Sequence, residues 1–437
     1  MERDEIVMVC CSDIAGQVRG KGFPARLLAE RERRGVGWTP TNAMITAHGA
    51  IADGPWGALG DLVLLPAMDS HVRVDFGDDS AATNFVLADI CDLDGGPWDC
   101  CLRNFLRRGL AALAEEFGLR LKAAFEHELH YDQVDERPNA GYALDAFRRQ
   151  GRFGEVFLGG LRQAGVTPDT FMPEYGPQQY EVTVEPAVGL AAADQAVILR
   201  EVARGAAQHL GGRASFTPIL RPDAVGNGVH VHFSLLDRDD RPATHDGSGT
   251  NGLSAAAAAF AAGVTSMLPD FLALTAAATV SYLRLTPHRW SAAFNNLGRQ
   301  DREAALRICP VFETTGNDVA GQFHLEFRAA DAAASPYALL AAIVWAGVHG
   351  LRRNLSAPPV THEDLAGLSA SELTERGLER LPQSLAAALD RMAGSGEVRA
   401  WMGPALHDAY LCHKRFEVGL MDGLDDAAQC ARYYQAY

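Results

Sequence analysis

Two histidines stand two residues apart in VGNGVHVHFSL, Val225–Leu235, directly after a Gly-Asn-Gly turn. Side chains on a strand alternate between faces, so residues two apart point the same way. The segment reads as a strand with His230, His232 and Ser234 on one face and Val231 and Phe233 on the other. Three further segments obey the same rule. FEHELH places Glu126 and Glu128 together. QQYEVTVE sets Gln179, Glu181, Thr183 and Glu185 against Tyr180, Val182 and Val184. HLEFR sets Glu326 and Arg328 against Leu325 and Phe327. Glu174 precedes Glu181 across a Gly-Pro turn.

Amphipathic strands with one wet face account for any one of these segments. Together they carry mainly carboxylate and imidazole, and none of the quoted segments contains lysine. A sheet face lined with carboxylates repels itself unless cations sit among them. Oxygen donors with an imidazole suit Mg²⁺ or Mn²⁺; without a cysteine in the set, zinc is disfavoured. Arginines supply the complementary charge: Arg284 in SYLRLTPHRW, Arg299, Arg302 and Arg307 in GRQDREAALRI, and Arg328. Guanidinium groups grip phosphate and carboxylate as a fork, and with divalent ions they suit phosphoryl transfer. A surface ion pair is the alternative reading for each arginine taken alone.

The rest of the chain bounds the fold. Its 437 residues are 48% hydrophobic and 22% charged, ordinary for a globular protein with a large core. The net charge of −16 leaves no basic surplus for a nucleic acid or an anionic membrane. The segment at 1–16 lacks the basic end and apolar run of a signal peptide, so a cytoplasmic protein is expected. The eight cysteines follow no secreted-domain spacing, and reduced thiols are expected. The most apolar stretch, from Gly252 to Val280, is interrupted by Pro269-Asp270 and reads as two buried helices. Up to about residue 95 the chain reads as short strands and turns, and DICDLDGGPWD is a break with a boundary near Gly96. Beyond it strands and helices mix without a βαβ rhythm or a glycine-rich phosphate loop, so the class is α+β.

Taken in order, the motifs resemble the glutamine synthetase family, bacterial type I, nearly end to end. SDIAGQVRGKGFP resembles its N-terminal opening, FEHELHYD its E-x-E metal strand, and EYGPQQYE its following loop and strand. GNGVHVHFSL resembles its H-x-H strand, REAALRI its arginine segment, and HLEFRAADAAASPY its E-x-R segment. The resemblance implies a small β-grasp-like N-terminal domain at 1–96. A catalytic domain with a curved antiparallel sheet follows at 97–437. It also implies a double-ring dodecamer with sites shared between subunits. Glu128, Glu174 and Glu181 are expected to hold one divalent ion, and Glu126, His230 and Glu326 a second beside ATP. His232 and Ser234 are expected to line the nucleotide pocket, although a strand-face histidine bonded to a neighbour is the other reading of His232. Arg302 and Arg307 are expected to contact phosphates, Arg284 a substrate carboxylate, Arg328 the carboxylate being activated, and Gly226 to border the amino-acid site. The implied reaction is ATP-dependent amide formation from glutamate, or a close analogue, through a γ-glutamyl phosphate.

The sequence departs from that pattern where ammonia is bound. The segment expected to carry an aspartate reads GVGWTPTNAM, and the flap glutamate is replaced by Trp290. Val225 stands where an asparagine normally opens the glycine-rich turn. Binding ammonium and removing its proton needs nearby carboxylates, so a primary amine with a hydrocarbon or aromatic part is expected instead. Trp38 is expected to reach a neighbouring subunit's site, unless both tryptophans simply pack at a subunit contact. Ammonia-using glutamine synthetase and a catalytically silent scaffold remain the alternatives. No counterpart of the family's regulatory tyrosine is found in APPVTHEDLAGLSASE, so control by nucleotidylation is not expected.

Overall fold

The computed structural model describes residues 3–137, 141–312, 314 and 316–437. Its N-terminal part is a six-stranded sheet of β1 (Ile6–Ser12), β2 (Val18–Pro24), β3 (Val36–Trp38), β4 (Leu62–Pro66), β5 (Val72–Val74) and β6 (Thr83–Cys91). β1 and β6 pair in parallel, and the other pairings are antiparallel. Val7 and Val9 on β1 and Val86 on β6 fill the core between this sheet and its neighbours.

The second sheet carries the polar-faced segments. Its strands are β7 (Arg120–Tyr131), β8 (Pro168–Pro173), β9 (Gln179–Val184), β10 (Ala187–Val188), β11 (Ala214–Ser215), β12 (Val229–Leu236), β13 (Leu297–Arg299), β14 (Leu306–Ile308), β15 (Leu325–Phe327) and β16 (Val360–Thr361). The order is β16-β13-β14-β15-β12-β7-β9-β8, with β10 and β11 paired to β7. From β8 to β14 the path is antiparallel, as expected. At the other edge β13 pairs in parallel with both β14 and β16, so the sheet is mixed.

The alternation on β7 holds from Arg120 to Leu129. Leu121, Ala123, Phe125, His127 and Leu129 are buried on the core face, behind Glu126 and Glu128. Each large apolar side chain so removed from water contributes roughly 1.5–3 kcal/mol. The helices Leu102–Phe117, Leu190–His209, Ala255–Phe271 and Pro336–Arg352 pack together behind this core. Helix Leu102–Phe117 stops at Gly118, whose φ of 66° lets Gly118 N–H reach the Ala114 carbonyl. Helices Ala255–Phe271 and Pro336–Arg352 cross backbone to backbone. A methyl on Gly350 would overlap the Ala259 carbonyl, and one on Gly263 the Ala346 carbonyl.

The apolar stretch forms one helix, not two. Pro269 lies inside Ala255–Phe271, and the coil tightens to a 3-10 turn only at Leu272–Leu274. A proline near a helix end removes one i→i−4 bond without ending the packing of the helix. The Ala255–Leu274 span is long and apolar enough to cross a bilayer, but 83% of its most apolar window is buried in the protein. All eight cysteines are free.

Candidate active site

Strand register brings the polar faces into one row. Glu181 on β9 lies opposite Glu128 on β7. Glu126 on β7 lies opposite His230 on β12, and His232 lies opposite Glu326 on β15. Glu326 in turn lies opposite Arg307 on β14. Cross-strand partners share a face and sit about 5 Å apart at Cβ, so the row is contiguous. β7 extends further than FEHELH, and Lys122 takes the same face at its far end, opposite Ser234.

The row floors a cavity of about 840 Å³. Glu126, Glu128, Glu174, Glu181, His230, Gly226, Arg284, Arg302, Arg328 and Trp290 all line it, with Val225 beside them. Four expected site residues do not. Glu326 is 1% exposed and lies beneath the floor, gripped by Arg307 Nη1 at 2.7 Å and by Arg328. His232, Arg307 and the half-buried Ser234 continue the row away from the cavity.

Individual contacts fix the geometry. His230 Nδ1 lies 2.6 Å from Glu126 Oε1 and 3.7 Å from Glu326 Oε1. His232 Nε2 faces Glu126 Oε2 at 3.3 Å. Glu128 Oε2 accepts from Gly228 N–H at 2.7 Å and from Gln179 Nε2 at 3.3 Å. Glu174 Oε2 accepts from Tyr175 N–H at 2.7 Å and from the Tyr142 hydroxyl at 3.2 Å. Arg284 Nη1 donates to Ser291 Oγ at 2.9 Å, and its Nη2 to the Ala330 carbonyl. The Nε atoms of Arg284, Arg307 and Arg328 are buried without a partner among the described residues. Gly226 is required here, because a Cβ would overlap the Arg284 side chain.

The two halves of the row differ electrically. Burial opposes charge on Glu126, but His230 and His232 prevail and hold its carboxyl well below the usual range. Burial also opposes charge on Glu326, yet Arg328 and the two histidines hold it at about 2. At the other end burial, reinforced by Glu126, Glu128 and Glu174, pushes Glu181 up to about 10. Burial and the Glu128 charge raise Glu174 as well. One end is thus neutralised by the protein itself, and the other is an uncompensated carboxylate cluster.

Trp38 does not meet its expectation. It is 9% exposed, with its indole in the N-terminal core, because β3 pairs with β4 and turns it inward opposite Leu62. Trp290 does the reverse: it is 64% exposed, with φ 56°, at the cavity wall. Glu303 Oε1 accepts the Trp290 N–H at 2.9 Å, Glu303 Oε2 accepts the His288 N–H at 3.0 Å, and Arg328 Nη2 donates to the Trp290 carbonyl at 3.2 Å.

Several site residues escaped the sequence reading. Gln179 carried a signal, sharing the Glu181 face; its Nε2 also donates at 2.9 Å to the Gly226 carbonyl and to Asn227 Oδ1. Tyr142 and Asp223 lie outside any quoted segment, whereas Tyr175 and Glu303 sit inside EYGPQQYE and REAALRI without having been singled out.

The comparisons with known proteins give the family of this fold and cavity, and with it an ATP-dependent ligase. Residues 1–98 match the glutamine synthetase N-terminal domain, and residues 99–433 the glutamine synthetase catalytic domain. The γ-glutamylpolyamine synthetase GlnA3 of Streptomyces coelicolor is 34% identical, over 99% of this chain and 93% of its own length. The glutamine synthetase of Pyrococcus abyssi is 25% identical over 94% of this chain and 90% of its own. A crystal structure of a novel glutamine synthase homologue superposes with a TM-score of 0.93 at 40% identity, covering 100% of this chain and 99% of its own. Ligand-free GmaS superposes with a TM-score of 0.82 at 24% identity over 97% of this chain and 94% of its own, a likeness of fold. The chain belongs to the glutamine synthetase family. Enzymes of this family use ATP and divalent metal ions, bind small-molecule substrates and are oligomeric.

Proposed function

We propose that this protein joins the γ-carboxylate of glutamate, or a close analogue, to a primary amine with a hydrocarbon part, through a γ-glutamyl phosphate formed from ATP. The observation that carries the reading is the cavity's asymmetry. Its floor is a carboxylate row, and its wall, where the family places an acid, is the exposed Trp290 indole. The similarity to a γ-glutamylpolyamine synthetase supports an amine rather than ammonia. Glu303 accepts the backbone N–H groups of His288 and Trp290 and does not line this cavity, so it does not stand in for the lost acid.

The residues fit divalent ions. Glu128, Glu174 and Glu181 crowd like charges, and the raised Glu181 and Glu174 carboxyls are what such a set gives without a counter-ion. These three would hold one Mg²⁺ or Mn²⁺, and Glu126, His230 and Glu326, the last also paired with Arg307 and Arg328, would hold a second. When bound, the ions neutralise phosphoryl oxygens. The protein's own groups do the positioning. Arg284, whose buried Nε lacks a partner, holds a substrate carboxylate. Arg328 and Arg302, both on the cavity wall, stabilise charge on the phosphoryl group and on the carboxylate it activates. Arg307 contacts phosphate, and His232 and Ser234 meet the nucleotide beyond the cavity. Gly226 leaves space at the amino-acid end. Phosphorylation converts a poor electrophile into a mixed anhydride, which the amine attacks as phosphate leaves. We further infer a division of the chain near Gly96, a dodecameric assembly of two hexameric rings, and a cytoplasmic location.

The test is ADP release and product mass, measured with glutamate and a panel of amines that includes ammonium. Turnover with hydrocarbon-bearing amines, and little with ammonium, is expected. Turnover with ammonium alone refutes the amine reading.

A further inference from the structure

Beyond the floor carboxylates, β12, β14 and β15 bring three softer donors together at the far end of the row. His232 Nδ1 lies 3.1 Å from His324 Nε2 and 3.9 Å from Cys309 Sγ. All three donor atoms fall within 4.8 Å of one another. Cys309 directly follows β14, and His324 directly precedes β15, with Cys309 N–H bonded to the His324 carbonyl at 3.2 Å. The juxtaposition is therefore built into the sheet.

His324 Nδ1 lies 2.6 Å from the Gln322 carbonyl, an acceptor, so the proton of a neutral ring belongs there and Nε2 carries the lone pair. That lone pair faces His232 Nδ1 at 3.1 Å, where a ring proton or a metal ion between the two nitrogens satisfies both. An acceptor holding the second ring nitrogen is also the arrangement that orients a metal-binding histidine. Tetrahedral zinc, with Zn–N near 2.0–2.1 Å and Zn–S near 2.3 Å, requires N···N edges of about 3.3 Å and N···S edges of about 3.6 Å. The measured 3.1 Å and 3.9 Å lie close to both.

We propose that His232, Cys309 and His324 form a site for a soft divalent ion of the zinc class, adjoining Glu126 and Glu326, and that filling it competes with the nucleotide. Thiolate and imidazole select against the magnesium-type ions suited to the carboxylates. Binding forms a metal–sulfur bond as the Cys309 proton leaves to solvent. The competition clause rests on the proposed contact of His232 with the nucleotide; the site itself does not.

Cobalt reports the site directly. The full-length protein is stripped with EDTA, saturated with magnesium and titrated with Co²⁺. A thiolate-to-cobalt charge-transfer band in the near ultraviolet is expected, which oxygen ligands alone do not give. Cys309→Ser should abolish the band while retaining ligase turnover, and should lose inhibition by zinc. His324→Gln should weaken cobalt binding at least about tenfold, the lower end of what outer-shell substitutions cost. Absence of the band, or its persistence in Cys309→Ser, overturns the site. ATP, with magnesium kept in excess, should bleach the band. A band indifferent to ATP overturns the competition and removes His232 from the nucleotide contacts, without touching the amine reading.

Discussion

Replacing Glu181 by glutamine should stabilise the metal-free protein and remove its response to metal. Glu181 is buried opposite Glu128, with Glu174 and Glu126 adding to the repulsion, and its carboxyl is pushed up to about 10. At pH 7.5 it stays protonated in the folded chain, whereas in the unfolded chain it is ionised. Taking up that proton on folding costs roughly 4 kcal/mol at this pH. Glutamine avoids the penalty and still offers a donor to Glu174. Because the carboxylates share the burden, a gain of about 2–4 kcal/mol is expected in EDTA. In Mn²⁺ the gap should close. An ion at a hundredfold excess over its dissociation constant stabilises the native protein by about 2.7 kcal/mol, and the variant forfeits this. Urea unfolding of both proteins, with EDTA and with Mn²⁺, measures all four values. A loss of more than about 1 kcal/mol for Glu181→Gln in EDTA refutes the repulsion argument. An undiminished Mn²⁺ response in the variant refutes the ligand assignment.

Trp290→Glu restores the acid expected for ammonia and should raise ammonium-dependent ADP release while lowering turnover with hydrocarbon amines; an unchanged amine preference in the panel assay refutes the role given to the indole. His127 and His413 are buried neutral, burial lowering them to about 3 and about 4. The unfolded chain binds more protons below pH 6.5, so stability should fall with acidification, by roughly 2 kcal/mol per histidine at pH 5; urea midpoints from pH 7 to 5 check the slope, and His127→Gln should reduce it. Gly350→Ala forces a methyl against the Ala259 carbonyl and should destabilise by about 1–3 kcal/mol, read from the urea midpoint.

Period-two alternation made the carboxylate row legible, because a strand has only two faces and β7, β9 and β12 are long enough to display the pattern. Register was not legible. That Glu128 meets Glu181 and Glu126 meets His230 depends on turns and tertiary pairing, which alternation leaves open. Toward the β16 edge, β13 and β14 are three residues each, too short for a periodic signal, and with them went the parallel pairing and the meeting of Cys309 with His324. Trp38 failed for a similar reason: GVGWTPTNAM fixes which residue replaces the aspartate, but only pairing of β3 with β4 decides where its side chain points. Pro269 read as a break because the rule for prolines is local, whereas burial of both flanking segments in one core keeps the helix whole.

The position of Trp290 separates a retained feature from an accidental one. A left-handed φ of 56° costs a tryptophan about 1–2 kcal/mol. Such strain persists only where the surroundings over-determine it, and strained residues cluster at functional sites. Here they do over-determine it: Glu303 holds the N–H at one end of the residue, and Arg328 holds the carbonyl at the other. Arg328 also binds Glu326, so the flap backbone is tied to the far end of the carboxylate row. On the proposed reading, that strained backbone, anchored by two charged groups, sets Trp290 on the cavity wall against the hydrocarbon part of an amine.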